Sequence, residues 1–243
     1  MKRMILVVLV GIMTLQFNTA FAKTLKAITG LALPPYIISE NNTGMEREIV
    51  DSVFKEINLN MKLDYVPFIR VRMNMEKNKA DLAFPTNEAS NIKNVYFSDS
   101  HITYQNAAIT LKKNNLKINN ISDLKDKKII AFQDAKLYLG KEYAEMAKNN
   151  KKYREKARQE SQIAMLFAGR TDAIVTDVNI FKYFKDKIKI VDTNLEYTIH
   201  PIFPKTYYKV CFTDENLRNN FNKGLKKIKE NGTYDKIINK YVK

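Results

Sequence analysis

The chain has 243 residues, 45% of them hydrophobic and 28% charged, and its 41 Lys and Arg against 26 Asp and Glu give a formal net charge of +15. That length suits one large domain or two small lobes, with enough chain to bury a core. The single cysteine, Cys211, excludes an intramolecular disulfide, and lysines scattered without interleaved aromatics exclude a dedicated nucleic-acid role.

The chain opens on a leader. Lys2 and Arg3 precede an apolar run from Met4 to Met13, and Ala20-Phe21-Ala22 has the small-x-small form of a cleavage site. The run is shorter than the roughly 18–20 residues that span a bilayer. Residues 1–22 therefore read as a secretory signal peptide cut after Ala22, and no cysteine follows to carry a lipid. Cleavage removes two positive charges and leaves +13 on the exported chain. That charge fits an anionic partner, or simply a composition rich in Lys, Asn and Ile throughout.

Strand-like and helix-like pieces then alternate. TLKAITGLAL (24–33) reads as a strand running into the loop Pro34-Pro35-Tyr36. Residues 46–58 place Ile49, Val50, Val53, Phe54 and Ile57 on one helical face. MKLDYVPF (61–68) alternates as a strand, 70–79 reads as a short helix, and DLAF (81–84) as a buried strand. After AAITLKK (107–113) and a polar connector the pattern restarts. Ser122 is placed to cap a short turn, KKIIAF (127–132) is a strand, and a helix runs through Asn149. A helix over 160–169, a strand over 172–176 ending at Asp177, a helix over 178–184 and a strand over 187–192 follow. A long return segment carries Cys211 in the strand-like YKVCF, where a small buried side chain is expected. Two helices close the chain, the second expected to start on Thr233. Alternation of this kind argues for an α/β fold with mostly parallel sheets. Two such units, with a C-terminal helical pair returning to the first, make two hinge crossings. Ligands in open α/β sheets bind outside the carboxyl ends of the strands, so a cleft is expected between the units.

At this point the phrases PPY (34–36), GMEREIVDSVFKEINLN (44–60), KNKADLAF (77–84), VYFSDS (95–100), ISDLKDKKIIAF (121–132), AGRTDAIVTD (168–177) and LKKIKENGTYDKIINKY (225–241) stand in family order. With them the chain resembles extracellular solute-binding protein family 3, the periplasmic amino-acid-binding components of ABC transporters, as a divergent member. The resemblance implies a two-lobe, type II periplasmic-binding-protein fold that closes on a small polar solute. It sets lobe 1 at 23–109 plus 206–243 and lobe 2 at 110–205. It also implies a monomer in the periplasm that hands its solute to an ABC permease in the inner membrane.

The site residues follow from the phrases. Tyr36 stands where family members pack an aromatic against the solute, and Pro34 and Pro35 restrict its loop. Asp177 stands where an acid pairs with the α-ammonium group, and it also suits the N-cap of the helix that follows. Family members usually fork an arginine onto the α-carboxylate shortly before the FS phrase, but that slot falls near Asn91, with Lys93 offering only a point charge. Pro67-Phe68-Ile69-Arg70 matches a phrase of divergent members, which makes Arg70 a substitute clamp or a solvated surface residue. Pro85, Thr86 and Asn87 lie on the first-lobe loop, and Gln133 opens the second-lobe helix beside Asp134, whose charge opposes an anionic ligand there.

No catalytic group, metal or cofactor is expected. His101 and His200 are the only histidines and have no metal-ligand spacing. Ser98 to His101 matches a triad in composition alone, and seven glycines form no phosphate loop. A basic protein that binds surface polyanions, with binding that fades steeply in salt, is one reading beside solute transport, and two more keep the same scaffold. One is an exported enzyme on the same scaffold, similar to cyclohexadienyl dehydratases, recruiting Tyr36, Asp177 and Glu48. The other is a solute-sensing module.

Overall fold

The computed structural model describes residues 24–30 and 32–242, so the expected signal peptide lies outside the described residues. The first part of the chain forms β1 (Thr24–Thr29), α1 (Met45–Glu56), β2 (Asn60–Tyr65), α2 (Phe68–Glu76), β3 (Leu82–Thr86), β4 (Tyr96–Phe97) and β5 (Ile102–Tyr104). The middle forms β6 (Asn106–Leu111), β7 (Ile129–Phe132), α3 (Ala135–Tyr138), α4 (Lys141–Asn149), β8 (Tyr153–Lys156), α5 (Gln159–Phe167), β9 (Ala173–Asp177), α6 (Val178–Lys187) and β10 (Tyr197–His200). The chain ends with β11 (Thr206–Phe212), α7 (Glu215–Glu230) and α8 (Thr233–Tyr241).

Two sheets result. The first has the order β2-β1-β3-β11-β4, with β5 also pairing β11. The second has the order β10-β6-β9-β7-β8. Strands β1, β2 and β3 are parallel, as are β9, β7 and β8, whereas β11 and β6 run against their neighbours. The chain passes between the sheets twice, at Gln105 and through 201–205. The second sheet takes up the chain at Asn106, ahead of the expected changeover after residue 109, because Asn106 already pairs with Asp177.

Each sheet is covered on both faces. Leu25, Ala27, Leu82 and Phe212 pack under Ile49, Val50, Val53 and Phe54 of α1 and Phe221, Leu225 and Ile228 of α7. The other face holds Ile28, Ala83 and buried Cys211 against Val71 and Met75 of α2. In the second lobe Tyr143 and Met146 of α4 cover one face, while Ile163, Leu166 and Phe167 of α5 and Phe181 of α6 cover the other. These are the periodic positions of the sequence, buried because a sheet sandwiched by helices removes apolar surface from water on both sides.

Three local expectations are corrected. Residues 187–192 form no strand: α6 runs to Lys187, Ile188 is buried, and Ile190 is 85% exposed. The edge position beside β6 is taken instead by β10 from the return segment. The turn at 121–124 is capped by Asn120, which exchanges bonds with Asp123, rather than by Ser122. The last helix starts behind Gly232, left-handed at φ 77°, with no side-chain cap from Thr233.

One glycine sets the geometry used below. Gly44 precedes α1 at φ 122°, and a Cβ there would lie 2.4 Å from the Tyr36 carbonyl oxygen. That close approach lets Met45 N donate to Pro35 O (2.9 Å) and Glu46 N donate to Tyr36 O (3.0 Å). Two of the free N–H groups that begin α1 are thereby satisfied by the loop that carries Tyr36. Gly44→Ala is expected to lower stability in urea by more than about 2 kcal/mol, from steric overlap added to the left-hand penalty. Gly169→Ala, where nothing lies within 4 Å of the added atom, is expected to cost about 1 kcal/mol.

Candidate functional site between the two sheets

Asp177 ends β9 and caps α6, its Oδ1 accepting from Asn179 N at 2.9 Å and Ile180 N at 3.1 Å. The same oxygen accepts from the Tyr36 hydroxyl at 2.9 Å, and Oδ2 accepts from Gln105 N at 2.8 Å. One carboxylate of the second sheet is therefore held by its own helix, by the crossing residue Gln105 and by a loop of the first sheet. Asp177 is 2% exposed and Tyr36 fully buried. Asn179 Nδ2 donates to the Tyr36 oxygen at 3.1 Å, so the phenol both gives and receives.

The Tyr36 ring is stacked on Tyr104, with centroids 3.7 Å apart and planes 16° from parallel. The Tyr104 hydroxyl donates to Glu46 Oε2 at 3.0 Å, and His101 Nε2 meets Glu46 Oε1 at 2.7 Å. Glu46 and His101 are both fully buried, and His101 Nδ1 has no partner among the described residues. A polar chain thus runs from α1 through the crossing strand β5 to the end of β9. Sequence reasoning missed Glu46, Tyr104, Gln105 and Asn179. Glu46 carries a signal: it stands three, four and seven residues before Ile49, Val50 and Val53, an acid on the apolar face of a helix.

Electrostatics follow burial. Loss of water raises the Asp177 carboxyl from 3.8 to about 6, against the pull of its N–H donors and the Tyr36 hydroxyl. Burial, and then the Asp177 charge, holds the Tyr36 phenol well above its ordinary value. Burial followed by the Glu46 charge does the same to Tyr104.

The remaining expected residues are not joined to this pair by any bond. Pro85 lies in β3. Thr86 is buried and donates to the Lys209 carbonyl at 3.0 Å. Asn87 spends its side chain on Ala89 N (3.1 Å), capping the turn at 88–90. Asn91 is exposed and left-handed at φ 51°, and its Oδ1 accepts from Lys93 Nζ at 2.7 Å. Gln133 is exposed at the end of β7. Arg70 is exposed in the first turn of α2, and its guanidinium has no partner among the described residues. Glu48 is engaged by Lys240 Nζ at 2.7 Å and by the Tyr241 hydroxyl, both on α8. No cluster of three or more His, Cys, Asp or Glu among the described residues is arranged to hold a metal.

Two concavities lie away from Tyr36 and Asp177. One of about 560 Å³ runs beside β8 and is bounded by Lys128, Lys151, Lys152, Arg154, Lys156 and the single acid Glu155, over Ile130 and Met165. A second, of about 440 Å³, lies by Lys112, Lys185 and Glu196. Neither concavity is lined by Tyr36 or Asp177, both of which are buried.

Residues 25–243 match the bacterial extracellular solute-binding proteins, family 3. The chain belongs to this family. Among curated relatives, an arginine-binding periplasmic protein of Mannheimia haemolytica is 28% identical over 218 residues, covering 86% of this chain and 87% of its own. The ligand-binding core of GluR0 in complex with L-glutamate superposes with a TM-score of 0.74 at 15% identity, over 92% of this chain and 100% of its own. An ancestral amino-acid-binding protein, a precursor of cyclohexadienyl dehydratase, superposes with a TM-score of 0.67 at 23% identity, over 90% and 95% of the two chains. This family member therefore has the type II periplasmic-binding fold and a solute-binding ancestry.

The Asp177 pair predicts a pH signature. Its folded carboxyl binds a proton more tightly than the unfolded one, so its contribution to stability is complete below pH 3.8 and is lost as pH rises through about 6. That window is worth roughly 3 kcal/mol, and urea titrations of Asp177→Asn from pH 4 to 7 are expected to show a flatter profile than the parent. Tyr36→Phe is expected to cost about 1–3 kcal/mol in the same assay, because Asn179 loses its acceptor and Asp177 a donor.

Proposed function

We propose that this solute-binding protein captures a small polar solute, an amino acid or related compound with a cationic group, by closing its lobes, and delivers it to an ABC permease without turning it over. In this reading residues 1–22 are a signal peptide cut after Ala22, and the exported protein works in the periplasm as a monomer. The observation that carries the proposal is Asp177: a buried carboxylate at the carboxyl end of β9, bonded to Tyr36 of the other lobe. Its Oδ1 already accepts three bonds, but Oδ2 accepts only one, from Gln105 N. When the lobes part, Oδ2 is the atom to which an ammonium or guanidinium adds, and the charge-assisted bond favours closure.

The loop Pro85–Thr86–Asn87, with Asn91 and Gln133, borders the cleft in this reading. Arg70, exposed and without a partner among the described residues, is the cation that meets any anionic end of the solute in this reading. Binding is favoured over turnover because the three groups an acid–base enzyme would need are not assembled. Glu48 is held by α8 and shares no bond with Tyr36 or Asp177 among the described residues.

Thermal denaturation against cationic, neutral and anionic amino acids and amines tests this. A ligand at about 100 times its Kd adds about 2.7 kcal/mol, a rise of roughly 5–10 °C for a chain of this size. Asp177→Ala is expected to abolish the rise. No shift from any member of the panel would defeat the proposal, and product formation from a bound compound would favour the enzyme reading. Arg70→Ala is expected to weaken a solute bearing a carboxylate and to leave one without it unchanged, as read by calorimetric titration.

A further inference from the structure

The loop after β7 is built to hold an anion, and the chain supplies the anion itself. Asp134 is left-handed at φ 63° and ψ 17°, and the helical turn Ala135–Tyr138 follows it directly. A left-handed residue followed by right-handed ones aims successive backbone N–H groups at one point, a concavity that accepts a negative oxygen. Glu155 from β8 fills it. Its Oε2 accepts from Asp134 N at 2.9 Å, and its Oε1 accepts from Lys136 N at 3.4 Å and from the Tyr153 hydroxyl at 2.7 Å.

Register places this concavity beside Asp177. Ala131 of β7 pairs with Glu155 on one side and with Val175 on the other, so the carboxyl ends of β8, β7 and β9 are level. Adjacent strands lie about 5 Å apart, so the loop at 133–136 opens on the same edge as Asp177, one strand over. That edge carries the carboxylates of Asp134, Glu155 and Asp177. Its cations are Lys136, which is exposed, Lys156, which borders the outer groove, and Arg158, which bonds Glu160 at 3.2 Å. Among the described residues none of the three side-chain cations bonds Glu155 or Asp177; Lys136 meets Glu155 through its backbone N–H alone.

We infer that Glu155 is a specificity-determining residue of the solute site: it closes the second lobe's anion seat, so that the solute is an amine or guanidinium compound without a carboxylate. This rests on the solute-binding reading and narrows it. A solute carboxylate entering from the cleft finds the N–H donors of 134 and 136 occupied and a like charge in their place. A cation finds an edge of opposite charge.

Arginine and agmatine differ only by that carboxylate, so calorimetric titration of the exported protein with each is the test. Agmatine is expected to bind at least roughly tenfold more tightly than arginine. In Glu155→Gln, whose amide removes the charge and frees one N–H of the seat, that preference is expected to shrink at least tenfold. Arginine binding as tightly as agmatine, or an unchanged ratio in Glu155→Gln, overturns the inference. If both fail to bind while an anionic or neutral solute binds, the inference falls and solute capture stands. If no solute binds, both fall. If Glu155→Gln does not fold, arginine binding the parent protein as tightly as agmatine still overturns the inference.

Discussion

A phenol from the first lobe donates to a carboxylate from the second, and most of what positions the candidate site converges on that bond. Tyr36 is held from behind, because its carbonyl caps the start of α1 where Gly44 allows close approach. Its ring is held from the side by Tyr104 on the crossing strand. Asp177 is held by the first N–H groups of α6 and by Gln105, the residue at which the chain passes from one sheet to the other. Helix start, crossing strand and sheet end thus share one hydrogen-bonded locus, so a change in lobe angle must alter bonds there.

Behind it lies a second, buried polar layer. Glu46 is fully buried in a helix otherwise packed with Ile, Val and Phe, and it is met by His101 and by the Tyr104 hydroxyl. Buried charge is costly unless paired, and here the pairing ties α1 to the strand that leads out of the lobe. The stacked ring of Tyr104 then joins this layer to Tyr36. The arrangement makes the region between α1 and β9 a connected network in which the loss of one member leaves others unsatisfied.

The sheets and helices were legible in the sequence because burial on both faces writes itself as apolar periodicity, as in Ile49, Val50, Val53 and Phe54. The segment at 187–192 misled because alternating Lys and Ile imitate a strand. Whether such a run pairs depends on which other segment reaches the sheet edge first, and Tyr197–His200 does. The family phrases located Asp177 and Tyr36, which the structure brings into contact. They could not reveal that the two bond to each other, because that contact spans 141 positions. Glu155 was invisible for the same reason: its meaning comes from the register of β8 against β7. The arginine absent near Asn91 was legible, and Asn91 and Lys93 bond to each other instead.

The basic groove beside β8 has a consequence for how copies of the protein meet. β8 is an outer strand with one side open to pairing, and the margin around it carries Lys128, Lys151, Lys152, Arg154 and Lys156 against the single acid Glu155. A second copy approaching to extend the sheet would press like charge against like and would have to strip water from several ammonium groups. Like charge along that margin opposes sheet extension across the open flank.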